Sequence, residues 1–185
     1  MQLNTLSMVH EFLKQHVAPG AFCIDATAGK GRDTALLCRL AGESGHVLAF
    51  DIQPEAITQT KALLAAEGLT ADVILDSHAR MEQYAAPETV DCVVFNFGRL
   101  PGGDPAVFTR AESSVAAINA GLRLLKPGGV MAIALYYGKE NGYAEHDAVL
   151  EFLRTVDDRV FSVLCCDWRN RRGEPPMPIF LWKDT

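Results

Sequence analysis

Short apolar runs alternate with helical patterns along the chain, and this alternation constrains the fold more than any other feature. The runs at 21–25, 46–50, 72–76, 90–95 and 130–137 have the length of buried strands, and segments with helical spacing separate them. Apolar strands joined by helical crossovers form a parallel sheet that is covered on both faces. The sequence therefore predicts a doubly wound α/β fold.

The two ends of the chain modify this pattern. Residues 1–20 place apolar side chains at helical spacing and predict a leading helix that ends at Pro19-Gly20. Near the other end, 160–168 and 179–182 have the pattern of strands, and the segment between them is too short and too rich in proline for a crossover helix. We expect these strands to pair antiparallel at the sheet edge. The result is a mostly parallel, seven-stranded sheet with an antiparallel terminal strand, in one domain over 1–185.

Composition excludes several classes of protein. The 185 residues are 49% hydrophobic and 22% charged, as in ordinary globular domains. The net charge of -6 argues against binding nucleic acid by bulk charge, although a local basic patch remains open. Neither a membrane span nor the apolar core of a secretory signal is recognisable, so we expect a soluble, cytoplasmic protein with no membrane partner.

Cysteine and histidine usage predicts no metal site. The five cysteines form no CxxC pair, and we expect them to be reduced, buried thiols. The five histidines are scattered at no metal-ligand spacing.

Ligands of a doubly wound sheet bind beyond the carboxyl ends of its strands. The loop after the first strand reads Asp25-Ala-Thr-Ala-Gly29-Lys30-Gly31-Arg-Asp33-Thr34. Its two glycines let the backbone approach a ligand closely and expose amide groups at a helix start. A tight turn without a ligand is the alternative interpretation.

Two further strand ends carry polar residues that fit a nucleoside. Asp51 ends the second strand, where a carboxylate can accept both hydroxyls of a ribose, and Asp76-Ser77-His78 follows the third, near an adenine edge. Capping or surface roles are the alternative. A nicotinamide dinucleotide fits less well, because Thr34 stands where GxGxxG expects a third glycine or alanine and Asp25 lies four residues before the first glycine.

The pattern D-x-x-x-G-x-G, the acid after the second strand, Leu125-Lys-Pro-Gly-Gly129 and the terminal antiparallel strand resemble the class I S-adenosylmethionine-dependent methyltransferases. This resemblance covers nearly the whole chain and implies S-adenosyl-L-methionine as the cofactor. It implies that Asp25 and the glycine turn lie against the amino acid part of the cofactor and that Asp51 holds the ribose. It also implies that Gln53, Ser77 and His78 border the adenosine. The implied cofactor contacts are Asp25, Gly29, Lys30, Gly31, Asp33, Asp51, Gln53, Ser77, His78 and Asn96.

A closer resemblance, to the rRNA methylase family, is carried by several motifs together. They are DATAGKGRDT at 25–34, FDIQ at 50–53, DSHA at 76–79, NFGRLPGGD at 96–104, YYG at 136–138 and PP at 175–176. Members of this family are similar to the enzyme that converts 5-aminomethyluridine at the tRNA wobble position to 5-methylaminomethyluridine. The resemblance implies methyl transfer to a tRNA anticodon stem-loop. The chain departs from the family pattern at Lys30, Arg32, Arg99 and 138–142, which bears on the substrate more than on the cofactor.

The catalytic candidates follow from the chemistry of an alkylamine, which must lose a proton before it can attack a methyl group. The amide oxygen of Asn96 could accept a hydrogen bond from the amine and orient its lone pair. Asp104 is the candidate for receiving the proton, with a loop-capping role as the alternative.

Residues that could meet RNA follow the fifth and sixth strands. One ring of Tyr136 and Tyr137 could stack on a splayed uracil while the other faces the core. The arginines Arg169, Arg171 and Arg172 could contact phosphates, and a homodimer would widen the contact surface. An rRNA or small-molecule amine methyltransferase remains an alternative. A nicotinamide-dependent reductase and a non-catalytic protein that binds S-adenosylmethionine fit the sequence less well.

Overall fold

The computed structural model describes residues 3–98 and 109–185. The helices are α1 (Thr5–His16), α2 (Arg32–Ala41), α3 (Pro54–Glu67), α4 (Ala111–Leu124) and α5 (Lys139–Arg154). The strands are β1 (Phe22–Asp25), β2 (His46–Asp51), β3 (Asp72–Leu75), β4 (Val90–Phe97), β5 (Leu125–Leu135), β6 (Phe161–Cys165) and β7 (Met177–Lys183). A short 3₁₀ helix, His78–Gln83, follows β3.

The strands form one sheet in the order β3-β2-β1-β4-β5-β7-β6. Strands β1 to β5 pair in parallel, and β7 runs antiparallel to both β5 and β6. The predicted doubly wound fold and the antiparallel terminal pair are therefore confirmed. The strand order reverses between β1 and β4, and this is where a sheet of this type opens a crevice for ligands.

Each face of the sheet packs against its own apolar cluster, because neighbouring residues of a strand point to opposite faces. Met131 and Ile133 of β5 belong to the cluster that includes residues of α4 and α5, whereas Ala132 and Ala134 belong to the cluster under α1, α2 and α3. All four side chains are fully buried. The central strands are thus covered on both sides, as their continuous apolar sequence predicts.

Some boundaries differ from the sequence prediction. Strand β5 begins at Leu125 instead of 130, because Leu125 already pairs with Val90 of β4. The register then shifts across Lys126-Pro-Gly-Gly129, where Gly128 has a positive φ of 79°, and regular pairing resumes at Val130. Helix α5 begins at Lys139 instead of 145, and the 3₁₀ helix after β3 was not predicted.

The cysteines only partly follow the expectation of buried thiols. All five are free; Cys23, Cys38 and Cys92 are buried, but Cys165 is exposed and Cys166 is half-buried. The expectation is wrong for this pair because both residues lie at the end of β6, the edge strand, where the neighbouring Leu164 is exposed as well. Within residues 3–98 and 109–185, no helix has the length and apolar character needed to span a membrane.

Candidate active site

The loop after β1 is a tight glycine turn that starts α2. The amide of Gly31 donates to the carbonyl of Ala28 at 2.7 Å, and Gly29 and Gly31 adopt positive φ angles of 54° and 78°. A Cβ atom on Gly31 would lie 2.9 Å from Cα of Thr60 in α3. Glycine at this position is therefore required both by the backbone conformation and by the close approach of α3.

Asp25, at the end of β1, is fully buried and holds this loop together. Its carboxylate accepts hydrogen bonds from the Thr34 hydroxyl at 2.6 Å and from the Thr27 amide at 3.1 Å. Burial, with a smaller contribution from the nearby charge of Asp33, raises the pKa of Asp25 to about 7. Both oxygens of Asp25 are thus bonded to the loop itself.

Asp51, at the end of β2, joins two neighbouring loops. Its carboxylate accepts hydrogen bonds from the Gly29 amide at 3.0 Å and from the Gln53 amide at 2.9 Å. Each carboxylate oxygen has a second lone pair that could accept a hydroxyl.

Two exposed apolar side chains, which were not predicted from the sequence, lie beside Asp51. Ile52 is 56% exposed and Leu75, at the end of the adjacent strand β3, is 55% exposed. The available signal was an apolar residue placed directly at the carboxyl end of a strand, where ligands bind. Such side chains suit packing against the flat face of a base.

His78 lies on the 3₁₀ helix and turns its ring back towards the loop after β1. Its Nδ1 is 3.2 Å from the carbonyl oxygen of Ala26, and the ring packs edge-on against Phe97. Burial lowers the pKa of His78, which favours the neutral ring. A neutral ring that donates from Nδ1 presents Nε2 as an acceptor. Ser77 accepts a hydrogen bond from the Ala79 amide at 3.3 Å and so caps the 3₁₀ helix.

Asn96, near the end of β4, is held by two groups, Thr27 and Asp33. Its amide N–H donates to the Thr27 hydroxyl at 2.7 Å, and its side-chain Nδ2 donates to Asp33 Oδ2. The other oxygen of Asp33 is 2.6 Å from Nε2 of His10 in α1. Asn96, Asp33 and His10 therefore form a continuous hydrogen-bonded chain.

Two buried side-chain atoms lack a hydrogen-bond partner among the described residues, namely Asn96 Oδ1 and His78 Nε2. Buried polar atoms nearly always have a partner in native proteins. Both atoms belong to residues predicted from the sequence, and both residues are bonded to the segment 26–27 at the carboxyl edge of β1. The two buried atoms without partners therefore indicate a ligand site at this edge of the sheet.

Lys30, Arg32 and Tyr136 follow β1 and β5 at the same edge of the sheet. Lys30 and Arg32 are exposed, and within residues 3–98 and 109–185 neither forms an ion pair. Tyr136 follows β5, donates its amide N–H to the carbonyl of Phe97 at 3.1 Å, and is 39% exposed. Burial raises the pKa of Tyr136, as does the charge of Asp33.

Tyr137 points to a different neighbour from Tyr136. Its ring centre lies 4.5 Å from that of His146 in α5 and 6.2 Å from that of Tyr143. Among the described residues, Tyr136 bonds to the end of β4 through Phe97, whereas the Tyr137 ring contacts α5.

The turn after β6 reaches the same edge of the sheet, as predicted. A Cβ atom on Gly138, which follows β5, would overlap the carboxylate of Glu174. The three arginines of the turn after β6 differ in their contacts. Arg171 lies over the Trp168 ring at 3.7 Å and donates to the Leu3 carbonyl, whereas Arg169 is 3.4 Å from Asp167.

Arg172 is exposed and, in the described part of the chain, has no hydrogen-bond partner. Asp104, the predicted proton acceptor, lies outside the described residues, as does Arg99. The roles predicted for the site residues stay predictions at this point.

Comparison with known proteins identifies a family and several relatives. The family model described as "Putative rRNA methylase" matches residues 47–182. A chloroplastic tRNA (mnm(5)s(2)U34)-methyltransferase of Arabidopsis thaliana is 31% identical over 189 residues, which cover 95% of this chain and 68% of that protein.

Two solved structures resemble the whole chain. A crystal structure described as an rRNA-methylase from Clostridium thermocellum has a TM-score of 0.96 and 38% sequence identity, with 99% of each chain covered. A methyltransferase from Streptococcus mutans in complex with SAH has a TM-score of 0.90 and 33% identity, again with 99% of each chain covered.

Proposed function

Because the chain belongs to the rRNA methylase family of S-adenosylmethionine-dependent methyltransferases, we propose that it methylates the amine of 5-aminomethyluridine at the tRNA wobble position. Family membership also excludes the two alternatives of a nicotinamide-dependent reductase and a non-catalytic binding protein. The observation that carries the choice of an amine is the buried, unpaired acceptor Asn96 Oδ1 next to the carboxylate of Asp33.

The residues around the β1 and β2 ends fit the cofactor. Asp51 keeps lone pairs for the two ribose hydroxyls, and Ile52 and Leu75 offer an apolar surface to the adenine. The neutral ring of His78 presents Nε2 to the exocyclic amine of the adenine, which is a hydrogen-bond donor. When bound, S-adenosylmethionine supplies a methyl group on a sulfonium, which needs no acid to leave.

The loop after β1 receives the amino acid part of the cofactor in this proposal. The turn at Gly29–Gly31 brings backbone amides to the start of α2, where a carboxylate is favoured, and Lys30 adds a positive charge. Asp25 acts by holding this loop in shape, because its own oxygens accept from Thr27 and Thr34. Gln53 and Ser77 border the adenosine.

Asn96 orients the substrate amine. An alkylamine with the usual pKa of about 10 is mostly protonated at neutral pH and has no lone pair for attack. A buried site disfavours the charged form, and the amide oxygen of Asn96 accepts one N–H, which directs the lone pair. Asp104 remains the proposed acceptor of the released proton.

Local cations support an RNA substrate in a chain whose net charge is -6. Arg172 and Arg169, in the turn after β6, are exposed and could meet phosphates of the anticodon stem-loop. Tyr136 presents an exposed ring on which a splayed uracil could stack. Arg171 and Tyr137, which are engaged within the protein, would support these contacts indirectly. A homodimer that widens this surface stays a prediction, which light scattering of the purified chain tests.

Mass spectrometry of nucleosides tests the proposal. tRNA that carries 5-aminomethyluridine is incubated with the purified chain and S-adenosylmethionine, and the gain of one methyl group on that nucleoside is expected. The substitution Asp51→Asn should abolish most of this gain. Asp72→Asn is the matched control, because Asp72 is the first residue of the neighbouring strand β3 and so lies at the amino ends of the parallel strands, away from the proposed site. Methylation of rRNA or of a small amine, with none on the tRNA, would contradict the proposed substrate.

A further inference from the structure

We propose that His10 of the leading helix is a positioning residue, which acts through Asp33 to keep the amide oxygen of Asn96 turned towards the substrate amine. This inference rests on the proposed function and assigns a role to a helix that the catalytic scheme does not otherwise use. It is carried by the hydrogen-bonded chain from α1 through α2 to β4.

The orientation of the Asn96 amide follows from the chemistry of its neighbour. An ionised carboxylate can only accept hydrogen bonds, so the Asn96 atom that faces Asp33 Oδ2 must be the NH₂ group. The carbonyl oxygen then points the other way, where it is buried and has no partner among residues 3–98 and 109–185. A flipped amide would present a donor to the substrate, and a donor cannot accept the N–H of an amine.

His10 holds the carboxylate of Asp33, and that carboxylate in turn orients the side-chain amide of Asn96. Its Nε2 lies 2.6 Å from Asp33 Oδ1, so each oxygen of Asp33 is engaged by a different donor. The Asp33 side chain is 12% exposed, while that of His10 is 34% exposed. Without His10, one oxygen of Asp33 would lose its partner, and the side chain could rotate away from Asn96.

The leading helix holds His10 in place. Asn4 caps the start of α1 by accepting from the Ser7 amide at 2.9 Å, and Val9 and Leu13 are fully buried in the cluster under β5. The backbone around His10 is therefore anchored on both sides. Helix α1 therefore holds the His10 side chain in a fixed position against Asp33, although 23 residues separate His10 and Asp33 in sequence.

A purely structural role would have a different signature. If the contact between His10 and Asp33 only joined α1 to α2, its loss would lower stability and would leave the state of the Asn96 amide unchanged. The variants His10→Ala and His10→Gln separate these cases, because glutamine keeps a side-chain N–H donor and alanine does not.

The first measurement uses nuclear magnetic resonance of the protein without cofactor or substrate. The side-chain amide signals of Asn96 are assigned by their absence in Asn96→Ala. We expect His10→Ala to shift or broaden them and His10→Gln to leave them near their original position. Unchanged signals in His10→Ala would overturn the proposal, whatever the activity of the protein.

The second measurement is a double-substitution cycle on methyl transfer. His10→Ala should lower kcat about tenfold with KM for tRNA and the affinity for S-adenosylhomocysteine changed less than about twofold, since it disturbs orientation and not binding. His10→Gln should restore most of kcat. In the Asn96→Ala background, His10→Ala should have no further effect.

The outcomes also separate this inference from the proposed function. An unsubstituted chain that methylates no tRNA contradicts the proposed function, while the resonance measurement still tests the position of Asn96. An active chain in which His10→Ala costs as much kcat with Asn96→Ala as without it overturns the inference alone.

Discussion

The loop after β1 and the turn after β6 lie at the same edge of the sheet but are held in different ways. The loop after β1 is fixed from inside, by the buried carboxylate of Asp25 and by the close approach of Gly31 to α3. The turn after β6 is held at its base, where the Trp168 ring donates to the Pro176 carbonyl at 3.1 Å, and it exposes Arg169 and Arg172. The difference suits a small ligand that needs fixed geometry on one side and a polyanion that is attracted by charge on the other.

The largest expected loss of stability comes from replacing Gly31, the residue that directly precedes α2 in the loop after β1. Gly31→Ala forces a positive φ on alanine and a clash with Thr60, so we expect a loss of about 3 kcal/mol in the free energy of unfolding. Gly173→Ala in the turn after β6 is the matched control. Gly173 has a φ of +79° but no atom within 4 Å of the added carbon, so about 1 kcal/mol is expected. Urea denaturation measures both, and equal losses would contradict the contrast between the regions.

The buried Asp25 should also make the free energy of unfolding of the chain depend on pH. Its pKa is raised from the ordinary value of 3.8 to about 7 in the folded chain, mainly by burial. The folded state therefore binds this proton more tightly than the unfolded state, and the associated stability is present below about pH 4 and lost as the pH rises through about 7.

Asp25→Asn removes this titration and tests the prediction. The free energy of unfolding of the unsubstituted chain should fall relative to that of Asp25→Asn between pH 5 and pH 8, by no more than the slope of one proton. Urea denaturation at each pH measures the difference. Parallel curves over this range would show that Asp25 titrates normally and is not the buried support of the loop.

The smallest expected effects distinguish two arginines of the turn. Arg171→Ala removes the stacking on Trp168 and the bond to Leu3, and should cost about 1 kcal/mol of stability. Arg172→Ala removes an exposed side chain and should change stability by less than about 0.5 kcal/mol. Thermal denaturation compares them, and a larger loss for Arg172 would mean that this side chain has a structural partner.

The fold was accessible from the sequence because its main signal is local. The apolar runs of β1, β2, β4 and β5 are long enough to require cover on both faces, and the short segment before β7 forbids a crossover helix. The exposed Cys165 was not foreseen, because the pattern of β6 does not reveal which strand ends at an uncovered edge.

The candidate site was accessible only where its residues follow a strand directly. Asp51, His78 and Asn96 were predicted in this way, because the carboxyl ends of parallel strands meet at one edge. The contact between His10 and Asp33 was not found, since it depends on how α1 docks on α2 and no spacing in the sequence reports that. The engagement of Arg171 with Trp168 was missed for the same reason, because a basic side chain in a turn has no sequence signal for its partner.

The most direct test of the account compares two binding affinities in two variants. We predict that Asp51→Asn weakens S-adenosylhomocysteine binding at least about tenfold, because a charge-assisted hydrogen bond is lost, and leaves the Kd for tRNA within about twofold. Arg172→Glu should leave S-adenosylhomocysteine binding unchanged, weaken tRNA binding severalfold and reduce its salt dependence. Calorimetry and filter binding measure the two affinities. If Arg172→Glu weakens both ligands equally, or Asp51→Asn leaves the affinity for S-adenosylhomocysteine intact, the assignment of the cofactor and the RNA to these two regions is wrong.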